Sequence, residues 1–292
     1  MVENFTLVSV PASVSGDYAN GFEMCLTGNP SDPDYNVGIK YGDRSYTKTF
    51  DEYIEWYIEL ARESLRVLKD TGNMFLMNYP KQNAYLRVKY LDEACYQISD
   101  YVWTYNTNVG HSPKRFTTAH RSILHCRKTK DNKFYKENVA VPYKNPTDKR
   151  ILNNLANGSK GRMPYDWFYF DLVKNVSKEK TFHACQIPQK LSEMLIKSCT
   201  IPDDIVLILF GGSGSEIEIC KTLKRQYISS EIDEKYHRMI MDRLKNGYIE
   251  NKYKLKLGKY EINHMEKQPT LFEGHTKYLT AKQTSGRKAH DR

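Results

Sequence analysis

The sequence predicts an α/β fold built on a mainly parallel sheet, and three stretches carry that expectation. "IVLILF" (205–210) is an unbroken apolar run, the composition of a strand buried on both faces. The glycine loop "GGSG", an amphipathic helix and a second strand "QYISSEI" follow it directly. "DEKYHRMIMDRLKNG" then returns to helical spacing, with Tyr236, Met239, Ile240 and Leu244 on one face and Gly247 at the end. Alternating strands and helices of this kind are what a parallel sheet with crossover helices requires. The 292 residues suffice for one large α/β domain or for a domain with an inserted module.

The earlier elements read in order. "FEMCLT" (22–27) is a short strand running into "GNPSDPDYNVGIKYG", an acidic loop punctuated by Pro30 and Pro33. Thr49 and Glu52 make the T-x-x-E capping box of a helix. Ile54, Tyr57, Ile58, Ala61, Leu65 and Leu68 share its apolar face, and Gly72 is expected to close it. "NMFLMNYP" (73–80) and "YVWTYN" (101–106) are further strands. From about 129 to 182 clear periodicity is lost, which suggests an insert on the main sheet. Pro188 opens a helix with Leu191, Met194, Leu195 and Ser198 on one face. The stretch after 265 is polar and basic, the composition of a disordered tail.

Composition narrows the functional classes. Lys and Arg exceed Asp and Glu by 44 to 35, a net charge of +9 that favours a polyanionic partner. The six cysteines, Cys25, Cys95, Cys126, Cys185, Cys199 and Cys220, form no CxxC pair and no zinc spacing with histidine, so reduced and mostly buried thiols are expected and no metal. His111, His120 and His125 lie among basic residues without metal-ligating company and read as structural or hydrogen-bonding groups. No stretch approaches the length of a membrane span and no signal-type apolar region opens the chain, which predicts a soluble cytoplasmic protein.

"FGGSG" (210–214) between a buried strand and a helix lets backbone amides approach a ligand closely. Glu231 ends the second strand, 17 residues beyond Gly214, where an acid can accept hydrogen bonds from ribose hydroxyls. Together these residues form a nucleoside-binding pattern; taken separately they would make only a tight turn and a helix cap. No Lys-Ser/Thr follows the glycines, which excludes a P-loop. Dinucleotide enzymes place such a loop early, whereas this one lies two-thirds along the chain, so a Rossmann oxidoreductase fits poorly.

A late F-x-G-x-G loop, preceded by "HACQIP" and a helix, with an early D-P-x-Y-N segment, resembles the β group of amino-type DNA methyltransferases. The resemblance runs from about residue 22 to 247. It implies the seven-stranded Rossmann-like sheet of S-adenosylmethionine-dependent methyltransferases with an inserted target-recognition region. It also implies a division into a catalytic half (1–128), a target-recognition insert (129–182), a cofactor half (183–264) and a basic tail (265–292). Phe210, Gly212, Ser213, Gly214 and Glu231, with His183 and Gln186 of the "HACQIP" stretch, would hold the cofactor. The family's D-P-F-x-G-S-G has Ile208 and Leu209 in place of its Asp-Pro here, and Asp34 stands where a second proline is usual.

An exocyclic amino nitrogen is a poor nucleophile because its lone pair is delocalised into the ring. By the resemblance, the Asp32 carboxylate and the Pro33 carbonyl accept its hydrogens and stabilise the charge that develops on transfer. Tyr35 stacks on the base, which must be flipped from the duplex to reach the site. The implied reaction is N6 methylation of adenine. Reading Ser31 as the lead residue of the motif gives N4 methylation of cytosine, and Ile208 with Asp34 also leaves room for a catalytically silent DNA-binding relative. Lys114, Arg115, Arg121 and Arg162 are the candidate DNA contacts, drawn from the basic segment 111–136 and from "KGRMPYDWFYF". Expected partners are double-stranded DNA, a second copy of the chain and a companion restriction endonuclease, with no membrane.

Overall fold

The computed structural model describes residues 6–8, 21–27, 49–107, 113–173, 180–183 and 185–254. Eight strands are seen: β1 (Thr6–Val8), β2 (Phe22–Thr27), β3 (Leu68–Asn78), β4 (Gln97–Thr104), β5 (His120–Arg127), β6 (Trp167–Tyr169), β7 (Ile205–Ile208) and β8 (Gln226–Glu231). They form one sheet in the order β1-β8-β7-β2-β3-β5-β4-β6. The four central strands β8, β7, β2 and β3 are mutually parallel, with Cys25 opposite Leu207 on one side and Met74 on the other. β5 is antiparallel to both β3 and β4, and β6 lies parallel to β4. The expected α/β sheet is therefore present. Its described strands number eight where seven were expected, because the three-residue strands β1 and β6 extend its two edges.

The helices are α1 (Phe50–Val67), α2 (Pro80–Leu86), α3 (Asp92–Ala94), α4 (Lys149–Ala156), α5 (Gln189–Cys199), α6 (Ser215–Thr222) and α7 (Glu234–Asn246). A π-helical stretch, Arg87–Leu91, joins α2 to α3. Alternation along the strands sends side chains to opposite faces. Met24, Leu26, Phe75 and Met77 pack on one face with Leu191 and Leu195 of α5 and Ile217 of α6. Cys25, Met74 and Leu76 pack on the other with Tyr53, Ile54, Tyr57 and Ala61 of α1. Each large apolar side chain removed from water in this way contributes about 1.5–3 kcal/mol.

Local signals in the sequence account for most boundaries. The capping box forms in full: Glu52 N donates to Thr49 Oγ1 at 3.2 Å, and Thr49 N to Glu52 Oε2 at 3.1 Å. Gly247 ends α7 at φ 75°, a conformation that costs glycine least. Gly72 does not close α1, which stops at Val67. Leu68 turns to extended geometry and begins β3 opposite Phe22, so β3 starts five residues earlier than expected. Gly72 lies inside that strand, where a Cβ would come within 2.9 Å of the Phe22 carbonyl oxygen. The basic segment after residue 111 contains β5, and the stretch 129–182 supplies α4 and edge strand β6, none of which the sequence pattern disclosed.

All six cysteines are free thiols, four of them buried. His125 is buried and structural, with Nδ1 3.0 Å from Tyr101 Oη and Nε2 2.8 Å from Asn73 Oδ1. The tail after 265 and His111 lie outside the described residues.

Candidate active site

The order of the sheet reverses between β7 and β2. From β7 the chain crosses through α6 on one face to β8; from β2 it crosses through α1 on the other face to β3. A crevice at the carboxyl ends of strands flanking such a reversal is where open α/β sheets bind ligands. The glycine loop leaves β7 at this edge. β2 brings the chain to the same edge at Thr27, five residues before Asp32. Asp32, Pro33 and Tyr35, with Ser31 and Asp34, lie outside the described residues.

The loop after β7 is held from both sides. Gly212 N donates to Glu231 Oε2 at 2.6 Å, and Asp233 N donates to Glu231 Oε1 at 2.9 Å. Gly211 N bonds Ser230 O at 2.7 Å, and Gly214 N turns back to Gly211 O at 2.7 Å. Gly212 and Gly214 have φ of 52° and 73°, backbone that strains any residue with a Cβ. A Cβ on Gly212 would lie 3.1 Å from His183 Nε2, and one on Gly214 would lie 3.2 Å from Ile240 Cγ1. The two glycines are thus required by close approach as well as by φ.

Glu231 is buried at the tip of β8. Burial raises its carboxyl above the usual range, opposed by backbone hydrogen bonds from Asp233, Gly212 and Ile232. A carboxylate offers about four acceptor sites, so these amides leave room for little more than one hydroxyl. Its principal structural work is to clamp the glycine loop.

The "HACQIP" stretch closes over the loop, so His183 and Gly212, 29 positions apart in the chain, come together. The His183 ring stands edge-on to Tyr236 at 4.5 Å. Burial and the Lys180 ammonium hold its imidazole down at about 4, opposed by Asp233, so it is neutral at physiological pH. Gln186 Oε1 accepts from both Thr181 N and Thr181 Oγ1 at 3.1 Å, which fixes the turn that presents His183. Phe210 is half-buried with its ring 6.2 Å from Trp56 of α1. The Ser213 hydroxyl lies 2.9 Å from that of Ser215. Ile208, where the family pattern has an acid, is buried in the core and offers no acceptor.

Arg243 was missed. Its NH1 donates to Ser213 O at 2.7 Å and its NH2 pairs with Glu218, while Gln189 Nε2 donates to Glu218 Oε2 at 2.6 Å. This pairing ties α7 and α5 to the first turn of α6. The signal was legible, because Arg243 falls seven residues after Tyr236 on the apolar face of α7.

The candidate DNA contacts differ in their settings. Lys114 and Arg115 are exposed, and Arg115 NH1 reaches Thr118 Oγ1 at 3.3 Å. Arg162, between α4 and β6, stacks over the exposed Tyr165 ring at 4.2 Å, and Tyr165 stacks on Trp167 at 6.0 Å. Arg121 is half-buried on β5, stacked over Tyr79. Among the described residues, no helix is long and apolar enough to cross a membrane.

Glycine loop, clamping acid and topological reversal define a nucleoside-binding α/β protein. The DNA methylase family model matches residues 30–242, and the chain belongs to that N6/N4 amino-methylase family. It is 28% identical over 230 residues to the type II methyltransferase M.BglII of Bacillus subtilis, covering 74% of this chain and 62% of that protein. It is 26% identical to the DNA adenine methyltransferase YhdJ of Escherichia coli (strain K12), covering 73% of this chain and 74% of that protein. Among solved structures, the PvuII DNA methyltransferase (cytosine-N4-specific) shares the fold with a TM-score of 0.54 at 19% identity, covering 78% of this chain and 87% of that one.

Proposed function

We propose that the chain transfers a methyl group from S-adenosylmethionine to the N6 amino group of a flipped-out adenine in double-stranded DNA. The observation that carries this reading is the reversal between β7 and β2, which sends the glycine loop and the chain leading to Asp32 to one edge of the sheet. Five residues span at most about 17 Å, so Asp32 is within reach of a ligand seated on that loop. The loop suits a nucleoside: two glycines at positive φ turn the chain tightly between β7 and α6, and a carboxylate stands beside it. The methyl donor that is also a nucleoside is S-adenosylmethionine.

Bound there, S-adenosylmethionine supplies an electrophilic methyl on a sulfonium centre. The chain's own residues do the rest. Gly212, Ser213, Gly214 and Glu231 seat the nucleoside, His183 walls the loop with Gln186 fixing the turn that presents it, and Phe210 faces Trp56 of α1. The Asp32 carboxylate and the Pro33 carbonyl accept the amino hydrogens and favour the developing positive charge. Tyr35 stacks on the extruded base, which offsets about 1–3 kcal/mol of the cost of flipping. Lys114, Arg115, Arg121 and Arg162 contact the DNA. With Ile208 in the apolar core, any acceptor for the cofactor's amino acid portion comes from another residue.

The similarity to YhdJ, a DNA adenine methyltransferase, supports adenine, as does Asp32 at the head of the motif. Because the chain spans 62% of M.BglII, the whole protein's partners belong to this proposal as well: a second copy, a companion restriction endonuclease and a cytoplasmic setting. The test is to incubate duplex DNA with methyl-labelled S-adenosylmethionine and hydrolyse it to nucleosides. Label in N6-methyladenine is expected. Label confined to N4-methylcytosine overturns the choice of base, and cofactor binding without transfer would mark a silent relative.

A further inference from the structure

Arg121 occupies an unusual position for a cation. Register places Ser122 opposite Asn78, the last residue of β3, so Arg121 lies one step beyond, at the edge where the glycine loop emerges. Its guanidinium carbon sits 3.6 Å from the Tyr79 ring centroid and 5.4 Å from that of Tyr105. NH2 donates to Tyr79 Oη at 2.6 Å, and NH1 donates to Tyr105 Oη and to His120 O. Tyr105 is itself fixed, buried edge-on to Trp103 at 5.2 Å. All of these partners are neutral, and Arg121 forms no ion pair among the described residues.

A half-buried charge is costly when nothing of opposite sign meets it, and the contrast within the chain is plain: Arg243, the buried cation behind the glycine loop, has Glu218. The three bonds engage three of the five guanidinium N–H groups, leaving Nε–H and one NH2 hydrogen. The Tyr79 ring beneath the guanidinium and the Tyr105 hydroxyl at its edge hold the plane in place, so an arriving anion finds the donors already oriented. Planar N–H donors of this kind match the two oxygens of a phosphate.

We propose that Arg121, clamped by Tyr79 and Tyr105, is an anion site that takes one phosphodiester of the DNA beside the nucleotide being methylated. This rests on the methyltransferase reading and narrows it: of the four candidate DNA contacts, Arg121 is the one pre-set at the catalytic edge. Lys114 and Arg115 are exposed, and Arg162 lies between α4 and β6, stacked over the exposed Tyr165.

The test uses the full chain with Arg121→Gln and Arg121→Lys, and a short duplex bearing the site at which wild type incorporates label. Arg121→Gln is expected to bind S-adenosylmethionine normally by calorimetry, which also shows that it is folded. Its duplex affinity falls, and the slope of log affinity against log salt drops by about one. Arg121→Lys keeps the slope while losing part of the affinity. Neutral methylphosphonates are then placed singly around the target base. One linkage weakens wild type by the same factor as Arg121→Gln and does not weaken Arg121→Gln further. Unchanged duplex affinity and slope in Arg121→Gln overturn the proposal, as do additive losses at every linkage. Loss of S-adenosylmethionine affinity also overturns it, because the anion would then be the cofactor's carboxylate. Wild type that neither binds nor labels DNA sinks the methyltransferase reading and this site with it. Wild type that labels DNA while Arg121→Gln binds it unchanged sinks this site alone.

Discussion

The Gly212 amide donates to Glu231 Oε2 at 2.6 Å, so the loop after β7 is tied to the tip of β8 by a buried charge-assisted bond. One acid therefore sets the shape of the loop, whether or not it also meets a ribose. Removing the carboxylate leaves the amides of Gly212, Asp233 and Ile232 without this acceptor, at about 1–3 kcal/mol for each group left unsatisfied. Glu231→Ala is expected to weaken S-adenosylmethionine binding by about 10- to 100-fold in calorimetry. Glu231→Gln, which keeps one carbonyl acceptor, should fall between it and wild type. Equal binding by all three proteins would show that the clamp is dispensable.

Arg243 holds the same loop from behind through Ser213 O while paired with Glu218. Arg243→Met is expected to destabilise the fold by about 2–3 kcal/mol in urea titration, less than the 3–5 kcal/mol of a fully buried pair because Glu218 is 31% exposed. A change under about 0.5 kcal/mol would contradict the tie between α6 and α7.

Two buried histidines predict acid lability. Burial and Arg127 lower His125 to about 3, and burial with Lys180 lowers His183 to about 4, against an ordinary 6.5. In this window the unfolded chain binds protons that the folded chain refuses, so stability falls as pH drops from about 6.5 toward 4. Unfolding near pH 5 should take up close to two protons from these groups, read from the pH dependence of the denaturation midpoint. His125→Asn should remove about one of them. A slope identical to wild type in that variant would place the titration elsewhere.

The sequence disclosed the elements whose signals are local. β2 matches "FEMCLT" residue for residue, the Thr49–Glu52 box starts α1, and "FGGSG" marks the loop, whereas the sequence offered Glu231 as a ribose acceptor and not as the clamp it forms on Gly212. It hid β5, where Ser122 to Cys126 are buried in succession with no alternation to read. There His125 is satisfied only by Tyr101 and Asn73, partners 24 and 52 positions away. Gly72 misled because glycine ends helices and also admits close strand contact, and only the tertiary position of Phe22 decides between them. The Arg121 clamp joins Tyr79 just after β3, Tyr105 just after β4 and Arg121 of β5, and no spacing rule brings them together.

On the proposed function, the residues following β2 perform chemistry on a substrate held beside the glycine loop. Asp32→Ala isolates it: S-adenosylmethionine affinity by calorimetry should stay within about twofold of wild type, while methyl transfer to duplex DNA falls by 10²-fold or more, the scale of losing one preorganised group that stabilises developing charge. Near-normal transfer by Asp32→Ala would contradict the account.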